Sequence, residues 1–423
     1  MPSFRIAAAA ACLALSVCAC STSPPRPAAG TAPASETTNA ARSVLLVSLD
    51  GFRADYLDLG LTPNLARIAR EGVRAQWMNP SYPSLTFPNH YSLVTGLRPD
   101  RHGIVHNSME DAALGRFRLS DPAAVGDGRW WGGEPIWVGA EKAGLRTATH
   151  FWPGSEAEIQ GRRPGRWRPF DGGIAPAARV DQVLAWLGEP PATRPRLVTL
   201  YFEQLDHAGH DHGPDSAQVR ETLVELDAAI GRLYAGLARR GLLDRVDLVV
   251  VSDHGMAEVG PGRVVAVEDM VAPEDARVVS IGQVVGIAPR PGREAAAERK
   301  LLGAHGRYEC WRKGELPARW HYGRHPRVPP IVCQMREGWD ALPREAVAKR
   351  PPDAVRGSHG YDPALPSMRA LFIARGPSFR AGTELPAFDN VDVYPLLAHL
   401  LGIPPADNDG ELAPLRPALR GFD

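Results

Sequence analysis

The first long apolar run in the body of the chain, Ser43-Val44-Leu45-Leu46-Val47-Ser48-Leu49, shows no polar alternation. A strand with that pattern is covered on both faces, as in the middle of a parallel sheet. It ends at Asp50-Gly51, and Pro63 to Glu71 then reads as a helix, with Pro near its first turn and Gly72 closing it. Arg196 to Tyr201 and Asp247 to Val251 are further candidate strands, the second after a long helical stretch from about Ser216 to Arg239; Leu371 to Ala374 is a fourth. Strands alternating with helices predict an α/β sheet with helices on both faces. Pro261 to Arg356 is less regular and rich in Pro, Gly and Arg, and reads as an inserted subdomain or as elaborated loops over the site. No internal repeat interrupts this pattern.

The N-terminal segment changes the picture. Residues 1–20 place one basic residue, Arg5, before an apolar run too short to span a bilayer comfortably, which is the layout of a secretory leader. Val17-Cys18-Ala19-Cys20 resembles a bacterial lipobox, so Cys20 is the expected site of a lipid tether, with the protein held in the periplasm or cell envelope. Residues 21–41 are rich in Ser, Thr, Pro and Ala and predict a flexible linker. The catalytic domain is then expected over 42–423, with 261–356 as an insert within it. Cys12, Cys18 and Cys20 belong to the leader, leaving Cys310 and Cys333 as an expected disulfide in an exported chain.

With 423 residues, 44% of them hydrophobic, the chain can fill a substantial core, which excludes a peptide hormone or a wholly disordered chain. Its 48 basic and 48 acidic residues cancel, so no overall field favours nucleic acid, and no nucleic-acid partner is expected. No protein partner is inferred either.

In α/β sheets the working residues gather beyond the carboxyl ends of the strands, where Asp50, Asp206 and Asp253 are expected. Such acids repel one another unless a cation lies among them. Histidines stand beside them in Asp206-His207-Ala208-Gly209-His210-Asp211-His212, in Asp253-His254-Gly255 and in Gly357-Ser358-His359-Gly360. Imidazole and carboxylate without thiolate suit catalytic zinc, with manganese or iron as alternatives; which of His207, His210 and His212 face the metal stays open at this point. Thr86, just before Pro88, either caps a helix or projects its hydroxyl toward an anion held at the helix N-terminus.

These segments together resemble the nucleotide pyrophosphatase/phosphodiesterase family of the alkaline phosphatase superfamily. The resemblance runs through Thr86-Phe87-Pro88-Asn89-His90, Leu93-Val94-Thr95-Gly96, His102-Gly103-Ile104, Glu134-Pro135-Ile136-Trp137, Trp152-Pro153-Gly154-Ser155, Asp206 with His210, Asp253-His254-Gly255-Met256 and Gly360-Tyr361-Asp362. It implies an alkaline-phosphatase-like α/β/α sandwich around a mostly parallel sheet. It also implies two zinc ions per chain, one held by Asp206, His210 and His359 and the other by Asp50, Asp253 and His254 together with Thr86, leaving His207 and His212 as bystanders. Thr86 becomes the nucleophile, Asn107 an amide donor to a phosphoryl oxygen, and Phe87 and Tyr201 the rings against a nucleobase. The implied reaction is hydrolysis of nucleotide diesters or pyrophosphates through a phosphothreonine, releasing nucleoside 5'-monophosphate.

Two rivals are weighed beside this reading. A threonine-nucleophile phosphatase acting on monoesters is set against the absence of lysine near the motifs, although Arg166 and Arg168 lie where folding can bring them to the site. A surface binding protein with purely structural metal is set against the intact Thr86, because structural sites are closed by protein ligands.

Overall fold

The computed structural model describes residues 42–422. The leader, linker and lipobox readings lie outside those residues.

The apolar run forms β1 (Ser43–Leu49), followed by α1 (Pro63–Glu71), β2 (Val73–Ala75) and α2 (Thr86–Thr95). A hairpin of β3 (Ser108–Asp111) and β4 (Gly115–Arg118) comes next, then β5 (Thr147–His150), β6 (Arg166–Arg168), α3 (Pro176–Leu187), β7 (Leu197–Phe202), α4 (Gln204–His212), α5 (Ala217–Arg239) and β8 (Val246–Val251). The chain returns to this sheet with β14 (Phe372–Arg375) and β15 (Thr383–Leu385), after a second sheet of β9 (Ala276–Ser280), β10 (Val284–Pro289), β11 (Gly303–Ala304), β12 (Tyr308–Arg312) and β13 (Ile331–Met335).

The main sheet has eight strands in the order β15-β2-β14-β8-β1-β7-β5-β6. β1 is central and parallel to both β7 and β8, with Leu46 opposite Thr199 and Val249. Its residues alternate between two cores: Val44 and Leu46 enter one, while Leu45, Val47 and Leu49 enter the other with residues of α1, α3 and α5. That is why the run is apolar except for two serines, whose buried hydroxyls are both bonded, Ser43 to the Pro195 carbonyl and Ser48 to His90; an unpaired polar group on either face would cost stability. The fold is an alkaline-phosphatase-like α/β arrangement with a large mixed sheet. The fourth expected strand, β14, is present but runs antiparallel to β8 and to β2, a direction that an apolar pattern does not encode.

The segment read as less regular folds instead around an antiparallel sheet ordered β9-β10-β13-β12-β11, with its own core of Val285, Ile287, Ile331 and Met335. Short strands broken by turns hid it, since alternation over two to six residues is a weak signal. Cys310 and Cys333 face each other across β12 and β13 and are joined as a disulfide.

Prediction: replacing both cysteines by serine opens a loop whose ends are 23 residues apart. Chain-entropy reasoning then expects a loss of about 3 kcal/mol, read as a lower urea midpoint with a slope that steepens as the uncrosslinked unfolded chain exposes more surface.

Candidate active site

Each site residue is placed by where its element ends. Asp50 follows β1 directly, and Gly51 then turns the chain with φ +71°; a Cβ there would sit 3.1 Å from the Asp206 backbone, so glycine permits the two segments to meet. Asp206 and His210 stand four apart on α4 and so share one face of that helix. Gly357 does for α4 what Gly51 does for Asp50: a Cβ there would lie 2.3 Å from the Gly209 carbonyl oxygen, and its absence lets the segment leading into His359 reach the helix. Asp253 and His254 follow β8.

The result is a buried cluster. His359 Nε2 lies 3.3 Å from Asp206 Oδ1 and 3.0 Å from His210 Nε2, and His210 Nε2 lies 3.5 Å from Asp206 Oδ2. Beside them, His254 Nε2 lies 2.9 Å from Asp253 Oδ2 and 3.5 Å from Asp50 Oδ1. The His254 and His359 rings stack with centroids 3.6 Å apart, so the two sets adjoin. Asp206 bridges them, its ligand oxygens also falling within reach of Asp50 and His254.

Whether this cluster fits a cation is decided by its unmatched atoms. Nδ1 of His210, His254 and His359 each lies 2.9 Å from a backbone carbonyl, of Gly357, Gly255 and Ser84. A proton on each Nδ1 satisfies those carbonyls and leaves each Nε2 as a lone pair aimed inward. Asp50 Oδ1, Asp206 Oδ1 and Asp253 Oδ2 are buried without a hydrogen-bond partner. Lone pairs and carboxylate oxygens pointed at one another repel, and burial deprives them of water. Burial, and then the neighbouring Asp253 and Asp206 carboxylates, push the Asp50 carboxyl well above the usual range. The donor set therefore fits bound metal, with nitrogen and oxygen ligands.

Thr86 opens α2 instead of capping it. Leu85 holds the N-cap position, and no side chain caps this helix end. The Thr86 hydroxyl is consequently left for the cluster, 3.4 Å from His254 Nε2. Asn107 accepts the Phe87 N–H at 2.9 Å through Oδ1, which fixes the carboxamide and leaves its amide nitrogen for another acceptor.

A cavity of about 390 Å³ opens onto the cluster, lined by Thr86, Phe87, Asn107, Asp206, His210 and His359 among others. Tyr201 lines it too, but its hydroxyl donates to Asp50 Oδ2 at 2.6 Å, so this tyrosine also orients a cluster carboxylate. Phe170, 48% exposed, contributes a second open ring to the same cavity. Sequence reasoning passed over Phe170 because it sits in a loop with no periodicity, where only a Pro-Phe pair hints at use. It also missed His90, which is buried with Nδ1 2.9 Å from the Thr86 carbonyl and Nε2 2.8 Å from Ser48 Oγ, tying α2 to β1. His207 is exposed at the cavity rim and His212 is exposed at the end of α4.

Behind the cavity, Arg179 is fully buried and holds Glu203 through contacts of 2.5 and 2.7 Å while also donating to the Tyr201 carbonyl at 2.9 Å. That bidentate pair braces the link between β7 and α4, the segment that delivers Asp206. Arg166 pairs with Glu189 and Arg168 with Gln182, and neither lines the cavity.

An alkaline-phosphatase-like sheet with an Asp/His cluster at its strand ends and a threonine on a helix start defines a class of phosphoester-handling proteins. The type I phosphodiesterase / nucleotide pyrophosphatase family matches residues 44–362, and the chain belongs to that family of enzymes. It is 38% identical over 382 residues to an uncharacterised pyrophosphatase/phosphodiesterase of Schizosaccharomyces pombe, covering 87% of this chain and 78% of that one. It is 36% identical over 383 residues to a venom phosphodiesterase of Crotalus durissus collilineatus, covering 87% of this chain but 45% of the venom protein. The chain therefore spans under half the length of that relative. Murine ectonucleotide pyrophosphatase/phosphodiesterase 5, solved as an inactive variant in complex with AMP, superposes with a TM-score of 0.84 at 34% identity, covering 89% of this chain and all of that one.

Prediction: burial holds His102 down at about 3 and His106 at about 4, so both stay neutral in the fold. An unfolded histidine takes a proton near pH 6.5, so below that pH the unfolded chain binds more protons. Stability should accordingly fall as pH drops from about 6.5 toward 4, measured by urea unfolding across that range.

Proposed function

We propose that the protein is an exported, zinc-dependent phosphodiesterase that cleaves nucleotide diesters or pyrophosphates and releases nucleoside 5'-monophosphate. The observation that carries this reading is the Thr86 hydroxyl set against a buried Asp/His cluster whose inward atoms lack partners. Asp206, His210 and His359 would hold one zinc ion, and Asp50, Asp253 and His254 a second with Thr86. Zinc in these positions would lower the cost of ionising the threonine hydroxyl and neutralise charge on the phosphoryl oxygens.

The chain's own groups then have separate tasks. Thr86 Oγ1 gives its proton to solvent and forms a bond to phosphorus in line with the departing oxygen, whose bond to phosphorus breaks as it takes up a proton from solvent. The Asn107 amide, held by its Oδ1 contact, donates to a non-bridging oxygen where charge accumulates. His90 keeps the Thr86 backbone in place from one turn along α2. Phe87 and Phe170 offer ring faces to a base, with Tyr201 beside them. Water then attacks phosphorus of the phosphothreonine, returning the threonine and the monophosphate; two in-line displacements retain configuration.

Diesters are favoured over monoesters by the charge of the cavity. None of the residues lining it is lysine or arginine, so a monoester dianion finds no added cation there. AMP in the murine relative's complex supports a nucleotide as substrate, and the ecto- and venom enzymes among the relatives support export. The tether through a lipidated Cys20, in the periplasm or cell envelope, belongs to the same reading.

Prediction: Thr86→Ala abolishes phosphothreonine labelling and turnover of thymidine 5'-p-nitrophenyl phosphate while zinc, measured by elemental analysis, stays near two ions per chain. Labelling that persists in the variant would overturn the nucleophile. The unaltered protein should prefer that ester to p-nitrophenyl phosphate and lose activity on chelation; the opposite preference would favour a monoesterase.

A further inference from the structure

Beside the active-site cavity lies a separate cleft of about 570 Å³, between the β3–β4 hairpin and β9. The two spaces meet at one point of the chain. Asn107 and Leu119 line the active-site cavity, whereas their immediate neighbours Ser108 and Arg118 line the cleft. Ser108 and Arg118 are register partners, and Leu119 N donates to the Asn107 carbonyl at 3.0 Å, so the base of one hairpin is the wall between the two spaces.

The charge of the two spaces is opposite. The active-site cavity has no lysine or arginine in its lining but has Asp50, Glu156 and Asp206, with Glu203 already neutralised by Arg179. The cleft is lined by Arg116, Arg118, Arg277 and Arg290, with Glu268 as its one lining carboxylate. Arg277 is neutralised by Glu110, and Arg290 donates to the Pro273 carbonyl at 2.6 Å without neutralising its charge. Arg116 and Arg118 are exposed on the same face of β4, and among the described residues neither guanidinium has an ion-pair or hydrogen-bond partner. Two adjacent like charges left unpaired in a concave space attract an anion, and planar guanidinium groups suit phosphate oxygens. Val278 and Ile281 give the same cleft an apolar wall.

We propose that this cleft receives the phosphate-bearing half of the substrate that departs from the scissile phosphorus, namely a nucleotide or polyphosphate group, an inference that rests on the diesterase reading above. A long anionic leaving group would run from the Asn107 side of the cavity over the hairpin base toward Arg118 and Arg116. A short uncharged leaving group would not reach it.

The test compares diadenosine tetraphosphate, which has a long anionic leaving half, with thymidine 5'-p-nitrophenyl phosphate, which does not. In the double variant Arg116→Gln, Arg118→Gln, kcat/KM for the tetraphosphate should fall by about three- to tenfold relative to the p-nitrophenyl ester, as expected for two exposed charge contacts. The difference should shrink at about 1 M salt, where the Debye length is about 3 Å. Equal loss on both substrates, or no loss on either, overturns the cleft assignment. Unaltered protein that turns over neither substrate overturns the diesterase reading, and the cleft proposal with it.

Discussion

The convergence of Asp50, Asp206 and Asp253 in a buried space is the constraint from which the remainder of the site follows. Carboxylates this close cannot all stay charged in a low dielectric unless positive charge stands among them. The protein supplies three imidazoles whose outer nitrogens are committed to backbone carbonyls and whose inner nitrogens point at the acids. The acids are thus matched by donors suited to metal and not by arginine, and Arg179 is spent on Glu203 behind the cavity.

That choice orders the surroundings. The sheet must bring β1, β7 and β8 side by side, because Asp50, Asp206 and Asp253 come from the ends of these strands or from the helix just beyond one of them. Gly357 must lack a side chain because its segment approaches the Gly209 carbonyl too closely for a Cβ, and Gly51 suits glycine because its φ is +71° and Asp206 leaves a Cβ only a tight fit. α2 begins at Thr86 so that the hydroxyl meets the cluster, and His90 one turn later anchors the same helix to Ser48 on β1. The cluster residues are assembled at the ends of regular elements, which hold side chains to a closer tolerance than a mobile loop would.

The second sheet divides the labour by charge. Its β9 edge faces the outer surface of the β3–β4 hairpin, and the arginines gathered there stand apart from a catalytic cavity without any. Keeping basic side chains out of the Asp/His cluster leaves its carboxylates free for a cation, while the arginines stand one hairpin away.

The sequence by itself determined the central strand, α1, the family, and the residues gathered around Thr86, because local apolar pattern and motif are properties of contiguous residues. Asp50, Thr86, Asp206, His210, Asp253, His254 and His359 were each picked out that way, and the fold brings them into one cluster. Only the tertiary structure decided the antiparallel direction of β14, the sheet between Ala276 and Met335, the Asp50 contact of Tyr201, the open ring of Phe170 and the bracing by His90. It also removed Arg166 and Arg168 from the site by pairing them elsewhere. Each of these depends on which distant segments meet, and pairing across long separations is set by packing of the whole chain, not by the few residues on either side.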